Sequence, residues 1–185
     1  MIITLFLGFF GLFSSEPIYE KISNKIQKDY QTEILCPRGL TITAVGGSSQ
    51  KGIKMIHLGV ATNGPGSIDQ ARTLMVFLFQ ELLNRYNTNP SIRPYLLNYP
   101  FTEKNIEFSI RFVDSKGICC RKDVTKKDED QIAYVTCFNG RIKYMVDDYG
   151  GLNPYRGILF EDYQDALRIV QNQSPNLAPQ PSERE

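Results

Sequence analysis

The chain has 185 residues, in which 21 Lys and Arg nearly balance 20 Asp and Glu. A protein with so little net charge has no overall field to attract a polyanion, so we expect no nucleic-acid partner. Hydrophobic residues make up 42% of the chain, which excludes a disordered protein and predicts a single domain over residues 16–173. Residues 174–185 include three prolines and are expected to form a disordered tail.

The first 15 residues are predicted to target the chain to a membrane. An apolar run from Ile2 to Phe13 is followed by Ser14, Ser15 and the charged Glu16, which is the profile of a signal peptide. No Lys or Arg precedes the run and the cleavage site is a poor match, so cleavage is left open. The run is shorter than the roughly 20 residues that span a bilayer, so a permanent anchor or a buried N-terminal strand is the less favoured alternative. We therefore expect export to the periplasm, the envelope or the medium, with membrane contact only through this segment.

The four cysteines are Cys36, Cys119, Cys120 and Cys137. In an oxidising compartment they are expected to pair. A bridge between the adjacent Cys119 and Cys120 is strained, so the expected disulfides join Cys36 or Cys137 to one of them, with the connectivity left open. The chain has no Cys-x-x-Cys motif and one His, so we expect neither a structural metal nor a cofactor.

The N-terminal third of the domain predicts one helix and two strands. Apolar residues recur at three- and four-residue steps over residues 17–33, which is typical of an amphipathic helix. Apolar residues alternate with Thr over residues 40–44, and this strand is expected to end in a turn at the Gly-Gly-Ser-Ser run of residues 46–49. A second strand over residues 53–61 is apolar on both faces, which predicts an interior position in the sheet.

A central helix is predicted over residues 67–86. Ser67 and Gln70 have the spacing of a capping box, in which each side chain bonds to the backbone of the other residue. Residues 74–79 are apolar all round the helix. The helix is therefore expected to lie buried at the centre of the domain.

The C-terminal half predicts three strands and a short helix. The first strand alternates apolar and polar residues, and the other two flank Asn139-Gly140, the dipeptide of a type I′ hairpin turn. The predicted elements are strands over residues 106–112, 132–138 and 142–146, and a helix over residues 161–170.

These elements predict an α+β fold. The order is α-β-β-α-β-β-β-α, with hairpin-length connections between most strands. The economical arrangement is a mainly antiparallel sheet of about five strands packed on the central helix.

Few residues could carry catalysis. His57 lies within an apolar strand, where a structural role is the favoured interpretation. Asp147-Asp148 and Glu161-Asp162 could supply paired carboxylates for a hydrolase, but the first pair has the composition of a solvated turn. We therefore predict no catalytic residue and no metal site.

The most unusual segment joins the central helix to the next strand. Residues 89–101 contain three Pro together with Arg93, Tyr95, Tyr99 and Phe101. A stiff, partly aromatic connection either packs on the core as a lid or presents a binding surface. These four side chains are the predicted binding residues, because Arg and Tyr are enriched in interface hot spots.

The sequence SIDQAR at residues 67–72, with IRPYL at 92–96 and NYPF at 98–101, resembles a family of small exported proteins of unknown function. These proteins come from intracellular bacteria of the chlamydial kind. The resemblance covers roughly residues 19–112. It implies a bacterial host and an envelope location, and it carries no activity or functional residue.

Two functions are compatible with this sequence. The first is a non-catalytic exported or envelope protein that binds a protein partner through residues 92–101. The second is a small hydrolase or ligand-binding protein with a pocket under that segment, using His57 or the carboxylates of Asp147 and Asp148. A purely structural role is indistinguishable from the first at this level.

Overall fold

The computed structural model describes residues 16–49, 51–64, 66–118, 120, 123–148 and 154–173. Within these residues, three helices and six strands form an α+β fold. The helices are α1 (Ile18–Tyr30), α2 (Ile68–Thr88) and α3 (Tyr163–Gln173). The strands are β1 (Thr41–Ser49), β2 (Ile53–Asn63), β3 (Ile106–Val113), β4 (Ile132–Phe138), β5 (Arg141–Asp147) and β6 (Tyr155–Asp162).

The six strands form one mixed sheet in the order β1-β2-β3-β4-β5-β6. Every neighbouring pair is antiparallel except β2 and β3, which run parallel. A parallel pair needs a crossover connection, and α2 supplies it. The strand order places β1 and β6 at the two edges of the sheet, and it places β2 in the interior as predicted.

The helices pack on one face of the sheet. The core cluster joins Ile26 of α1, Phe79 of α2 and Tyr163 of α3 to Phe108 of β3. The Phe79 ring lies 4.6 Å from that of Tyr163 and 6.5 Å from that of Phe108. Since side chains alternate along a strand, residues such as Glu107 point to the opposite face, which we call the open face.

The predicted start of α2 is confirmed. Ser67 Oγ accepts a hydrogen bond from the Gln70 backbone N–H at 3.2 Å, and Gln70 Oε1 accepts one from the Ser67 N–H at 3.0 Å. Met75 and Leu78, in the apolar run, are fully buried. Because this helix is buried on several sides, it forms the centre of the core.

The predicted hairpin is also confirmed. Asn139 and Gly140 have φ angles of 50° and 75°, as a type I′ turn requires, and they connect β4 to β5. An added Cβ at Gly140 would lie 2.9 Å from Glu103 Cγ, so the turn also packs closely against a neighbouring side chain.

The predicted α+β class is correct, whereas the prediction of five mainly antiparallel strands differs from the structure. The sheet has six strands, one pair is parallel, and residues 155–162 form β6 where a loop and the start of a helix were expected. β6 pairs with β5 over its whole length, from Tyr155 opposite Asp147 to Asp162 opposite Arg141. This pairing partner is what holds the segment extended, and local sequence does not reveal it.

The predicted turn at residues 46–49 is wrong, because β1 continues through these residues to Ser49. Gly47 pairs opposite Ile56, and an added Cβ at Gly47 would lie 2.5 Å from the carbonyl oxygen of Met55. A glycine within a strand often marks such a close approach of two backbones. The glycines therefore serve strand packing here.

Candidate functional site

Residues 89–101, which we call the lid, are fixed to the core from below. Ile92, Leu96 and Phe101 are 0%, 6% and 2% exposed. The Asn87 side chain donates to the carbonyl oxygen of Phe101 at 2.9 Å and accepts from its backbone N–H at 2.8 Å. The backbone N–H of Leu97 donates to the carbonyl oxygen of Ile53 at 2.9 Å, which ties the lid to β2.

The outer side of the lid carries exposed side chains of mixed chemistry. Leu97 is 54% exposed and Tyr99 is 46% exposed. The Arg93 guanidinium lies over the Tyr99 ring, 5.0 Å from its centroid. Tyr95 is half-buried, with its ring 5.9 Å from that of Tyr19 in α1. We call Arg93, Tyr95, Leu97 and Tyr99 the lid surface.

Phe101 does not belong to this surface. Its ring stacks on Tyr86 of α2 at 6.2 Å, and it is almost fully buried. An exposed aromatic and a core aromatic look alike in sequence, and only the packing separates Phe101 from Tyr99. The space under the lid, where a pocket was considered, is occupied by Ile92, Leu96 and Phe101.

A groove adjoins the beginning of the lid. It has a volume of about 390 Å³ and runs between α1 and the lid residues Asn89 and Ser91. Ile18, 59% exposed, and Ile22 line it with apolar surface. Lys21 also lines it, together with Lys25 and Asp29, which are ion-paired with each other at 2.8 Å. Apolar surface beside a basic residue continues the chemistry of the lid surface.

His57 lies on the open face, where Glu107 is its partner. His57 of β2 pairs opposite Glu107 of β3, and its Nδ1 lies 3.1 Å from Glu107 Oε2. Both side chains are about one-third exposed. A carboxylate in this position can orient an imidazole, and Glu107 is the partner that the structure gives the ring.

Cys137 cannot serve His57 as a nucleophile. Cys137 pairs opposite Phe108, whose side chain is in the core, so the thiol lies on the helix side of the sheet and His57 on the open face. Burial raises the pKa of the Cys137 thiol to about 12. A nucleophilic cysteine needs a lowered pKa, so Cys137 is a core residue.

The acidic pairs do not converge. Asp147 lies at the end of β5 where β6 begins, opposite Tyr155, whereas Asp162 lies at the other end of the same strand pair, opposite Arg141. Six residues of extended strand separate the two ends by about 20 Å. This distance exceeds the carboxylate separation of any glycosidase mechanism, so the two pairs cannot act together. The predicted solvated turn is wrong at Asp147, which is paired in β5 and 6% exposed.

Glu161 belongs to a buried ionic network instead. Its Oε1 accepts from Arg72 Nε at 2.9 Å and from the Tyr144 hydroxyl at 2.5 Å, and Arg72 also bonds to Asp69 at 2.5 Å. The side chains of Arg72 and Glu161 are 9% and 11% exposed. Burial, with the hydrogen bond to Glu161, raises the pKa of Tyr144. Sequence analysis did not identify this network, since its members come from α2, β5 and β6.

The disulfide candidates are only partly within the described residues. Cys36 is exposed and Cys137 is buried, and both carry free thiols. Cys120 is 8% exposed, and Cys119 lies outside the described residues. Disulfide pairing stays a prediction.

The described part of the chain contains neither a membrane-spanning helix nor a cluster of metal-binding side chains. None of its helices is long and apolar enough to cross a bilayer. No group of three or more His, Cys, Asp or Glu in the described ranges could hold a metal ion. Residues 1–15 and 174–185, predicted as a targeting segment and a tail, lie outside those ranges.

Polar residues on the buried side of α1 are a feature that sequence analysis missed. Ser23 and Gln27 are each 7% exposed although both are polar. They fall in the same helical stripe as Tyr19, Ile26 and Tyr30, so polar residues at core-facing positions were the available signal.

Comparison of the chain with protein-family models, with curated proteins and with solved structures finds no match.

Proposed function

We propose that this protein is an exported, non-catalytic module that binds a protein partner through the lid surface. The observation that carries the proposal is the two-sided lid. Ile92, Leu96 and Phe101 anchor it in the core, and the same short segment presents Leu97 and Tyr99 to solvent with Arg93 against the Tyr99 ring.

The anchoring favours binding because it removes much of the entropy that a flexible loop would lose. Side-chain and loop ordering oppose association, and a segment held in place beforehand avoids part of that cost. Arg and Tyr are also over-represented among residues that dominate binding energy. The groove at Ile18 and Lys21 extends the surface along α1, which favours a partner with an apolar anchor and an acidic group.

Export is part of the proposal, and the sequence alone supports it. The apolar run of residues 1–15 supports it, and so does the resemblance to exported bacterial proteins. A partner in the envelope or on the host side is therefore the expected class.

The alternative is a small hydrolase or ligand-binding protein. The His57–Glu107 pair favours it, because an oriented imidazole is one part of such a site. A nucleophile and an enclosing pocket are the other parts. The space under the lid is filled by core side chains, and Asp147 is itself almost fully buried. Protein binding is therefore the better-supported function.

The double variant Arg93→Ala/Tyr99→Ala tests the lid surface. Wild-type and variant chains would be used to capture proteins from an envelope extract, with captured proteins identified by mass spectrometry. We expect a partner that the wild type enriches and the double variant loses. The melting temperature should change by no more than about 2 °C, because both side chains are largely exposed.

The control is Arg141→Ala/Phe138→Ala, which removes the same kinds of side chain from an exposed site on the β4–β5 hairpin. It should retain the partner. Equal capture by both double variants would show that the lid is not the interface. A melting temperature lowered by about 8 °C or more in Arg93→Ala/Tyr99→Ala would show that these side chains stabilise the fold instead.

A further inference from the structure

β1 is a long edge strand without the usual protection against pairing. Its nine residues, Thr-Ile-Thr-Ala-Val-Gly-Gly-Ser-Ser, include no charged side chain and no Pro. β2 pairs with it on one side, and no strand of the described residues pairs on the other. Val45, in its middle, is 55% exposed. Natural edge strands are normally blocked by charges, Pro or a covering element, so an unblocked edge points to a partner.

The opposite edge shows the normal protection. β6 carries Arg156, Glu161 and Asp162 within eight residues. Arg156 is ion-paired with Asp128 at 2.6 Å, and Arg141 of β5 lies 3.8 Å from Asp162. The same sheet therefore has one protected edge and one open edge.

A cleft lies beside the open edge, between α1 and the β1–β2 hairpin. Its volume is about 180 Å³, the size of one medium side chain. Gly46 and Gly47 line it from β1 with backbone alone. An added Cβ at Gly47 would meet the β2 backbone, and one at Gly46 would lie 3.7 Å from His57 Cβ, on the open face.

The α1 side of the cleft offers fixed hydrogen-bonding groups. Glu20, Ser23, Asn24 and Gln27 line it. Ser23 Oγ lies 2.7 Å from the Tyr86 hydroxyl, and Gln27 Nε2 donates to both oxygens at 3.3 Å and 3.2 Å. These bonds fix Ser23 and Gln27. Asn24 Nδ2 donates to Glu16 Oε1 at 2.7 Å, and the Asn24 amide oxygen can accept a further bond. A carboxylate with amides and hydroxyls suits a neutral or basic polar group.

We propose that β1 binds an extended peptide of a partner protein by β-strand addition, with one polar side chain of that peptide in the cleft. In this mode, backbone hydrogen bonds to the edge strand supply affinity, and pockets for alternate side chains supply specificity. A chain that pairs with β1 runs alongside the cleft, because β1 forms one of its walls. The entering side chain is an uncharged hydrogen-bonding group or a Lys.

A second copy of this chain fits the same edge less well. In an antiparallel dimer through β1, the residues that the copy presents on the helix side would again be Ile42, Val45 and Gly47. These are apolar or lack a side chain, so the copy would bring no hydrogen-bonding side chain to the polar lining of the cleft. A peptide with a polar residue at this place can form such a bond.

The test uses the full-length chain and a phage library of random decapeptides. Selected peptides are synthesised unmodified and with N-methyl groups on either the odd or the even amides. We expect one methylation pattern to weaken binding at least tenfold and the other to leave it nearly unchanged. This follows because alternate amides of an added strand face the edge.

Asn24→Leu tests the cleft, and Asn172→Leu is the matched control, since it makes the same change at an exposed position of α3. Asn24→Leu should lower the affinity for the selected peptide about tenfold, and it should remove the preference for a polar residue at one position of the peptide. Asn172→Leu should change neither the affinity nor the preference. Arg93→Ala/Tyr99→Ala should also leave peptide affinity unchanged, so this result is independent of the lid.

Three outcomes would overturn the proposal. The first is a library that yields no peptide above background. The second is binding that is insensitive to the methylation pattern or to Asn24→Leu. The third is a dimer of the wild-type chain in sedimentation velocity that Val45→Lys dissociates, because a second copy would then occupy the edge.

Discussion

Arg72 is buried in a helix that is otherwise the centre of an apolar core. It is tolerated there because Glu161 and Asp69 both accept hydrogen bonds from it. The two acceptors differ in exposure: the Glu161 side chain is 11% exposed and that of Asp69 is 70% exposed. A buried ion pair adds little net stability, but removing one partner leaves the other charge uncompensated.

We therefore expect Glu161→Gln to lower the free energy of unfolding by about 2 to 3 kcal/mol, because Gln cannot balance the Arg72 charge in a buried site. Asp69→Asn should lower the free energy of unfolding by less than about 1 kcal/mol, because the Asp69 carboxylate that pairs with Arg72 is largely exposed to solvent. Urea unfolding at neutral pH measures both. Equal costs for the two substitutions would contradict a buried network centred on Glu161.

Single residues also show where sequence analysis stops. Tyr99 and Phe101 stand two positions apart in the lid, yet one is exposed and the other lies against Tyr86. Both were predicted as binding residues from composition. The direction of each side chain depends on the path that the backbone takes over α2, which composition does not encode.

At the scale of elements, the start of α2 is set by its first residues. The capping box of Ser67 and Gln70 satisfies backbone donors that would otherwise lack partners, so the first residue of the helix follows from two residues close together in the sequence. Local chemistry of this kind is readable from one sequence.

Ser67→Ala should lower the free energy of unfolding by about 1 kcal/mol, because it removes the acceptor for the Gln70 N–H. Ser67→Gly should cost only a few tenths of a kcal/mol, since Gly is itself a favourable N-cap residue. Chemical unfolding with a shared m-value measures the difference. A loss from Ser67→Ala no larger than that from Ser67→Gly would show that the observed cap contributes little to stability.

The sequence of the lid does not separate its two roles, which are packing on the core and presenting a binding surface. The composition of residues 89–101 is compatible with packing on the core and with binding, and the structure gives the segment an inner and an outer side. Three buried residues form the inner side, and the exposed residues between them form the outer side. A short 3-10 turn at Arg93–Tyr95 lies between the buried Ile92 and Leu96.

At the scale of the whole molecule, compartment and crosslinks are open to one direct measurement. We expect the protein recovered from its own host to lack the first 14 or 15 residues, because that segment has the profile of a signal peptide. The intact mass should also rise by about 2 Da per disulfide on reduction. Mass spectrometry with and without reductant measures both.

A full-length chain whose mass does not change on reduction would contradict export and crosslinking together. It would agree with the free thiols of Cys36 and Cys137 in the structure. The search for a partner would then move from the envelope to the cytoplasm. The lid surface and the β1 edge would be tested there with the same variants.

The sequence alone determined the features that depend on near neighbours, which are the capping box at Ser67 and the hairpin at Asn139-Gly140. It also indicated the interior position of β2, because this strand is apolar on both faces. Tertiary structure decided the features that depend on distant pairing. It added β6, made β2 and β3 parallel, and placed His57 and Cys137 on opposite faces of the sheet. Turns and caps are fixed by bonds within a few residues, whereas strand order is chosen by the burial of the whole core.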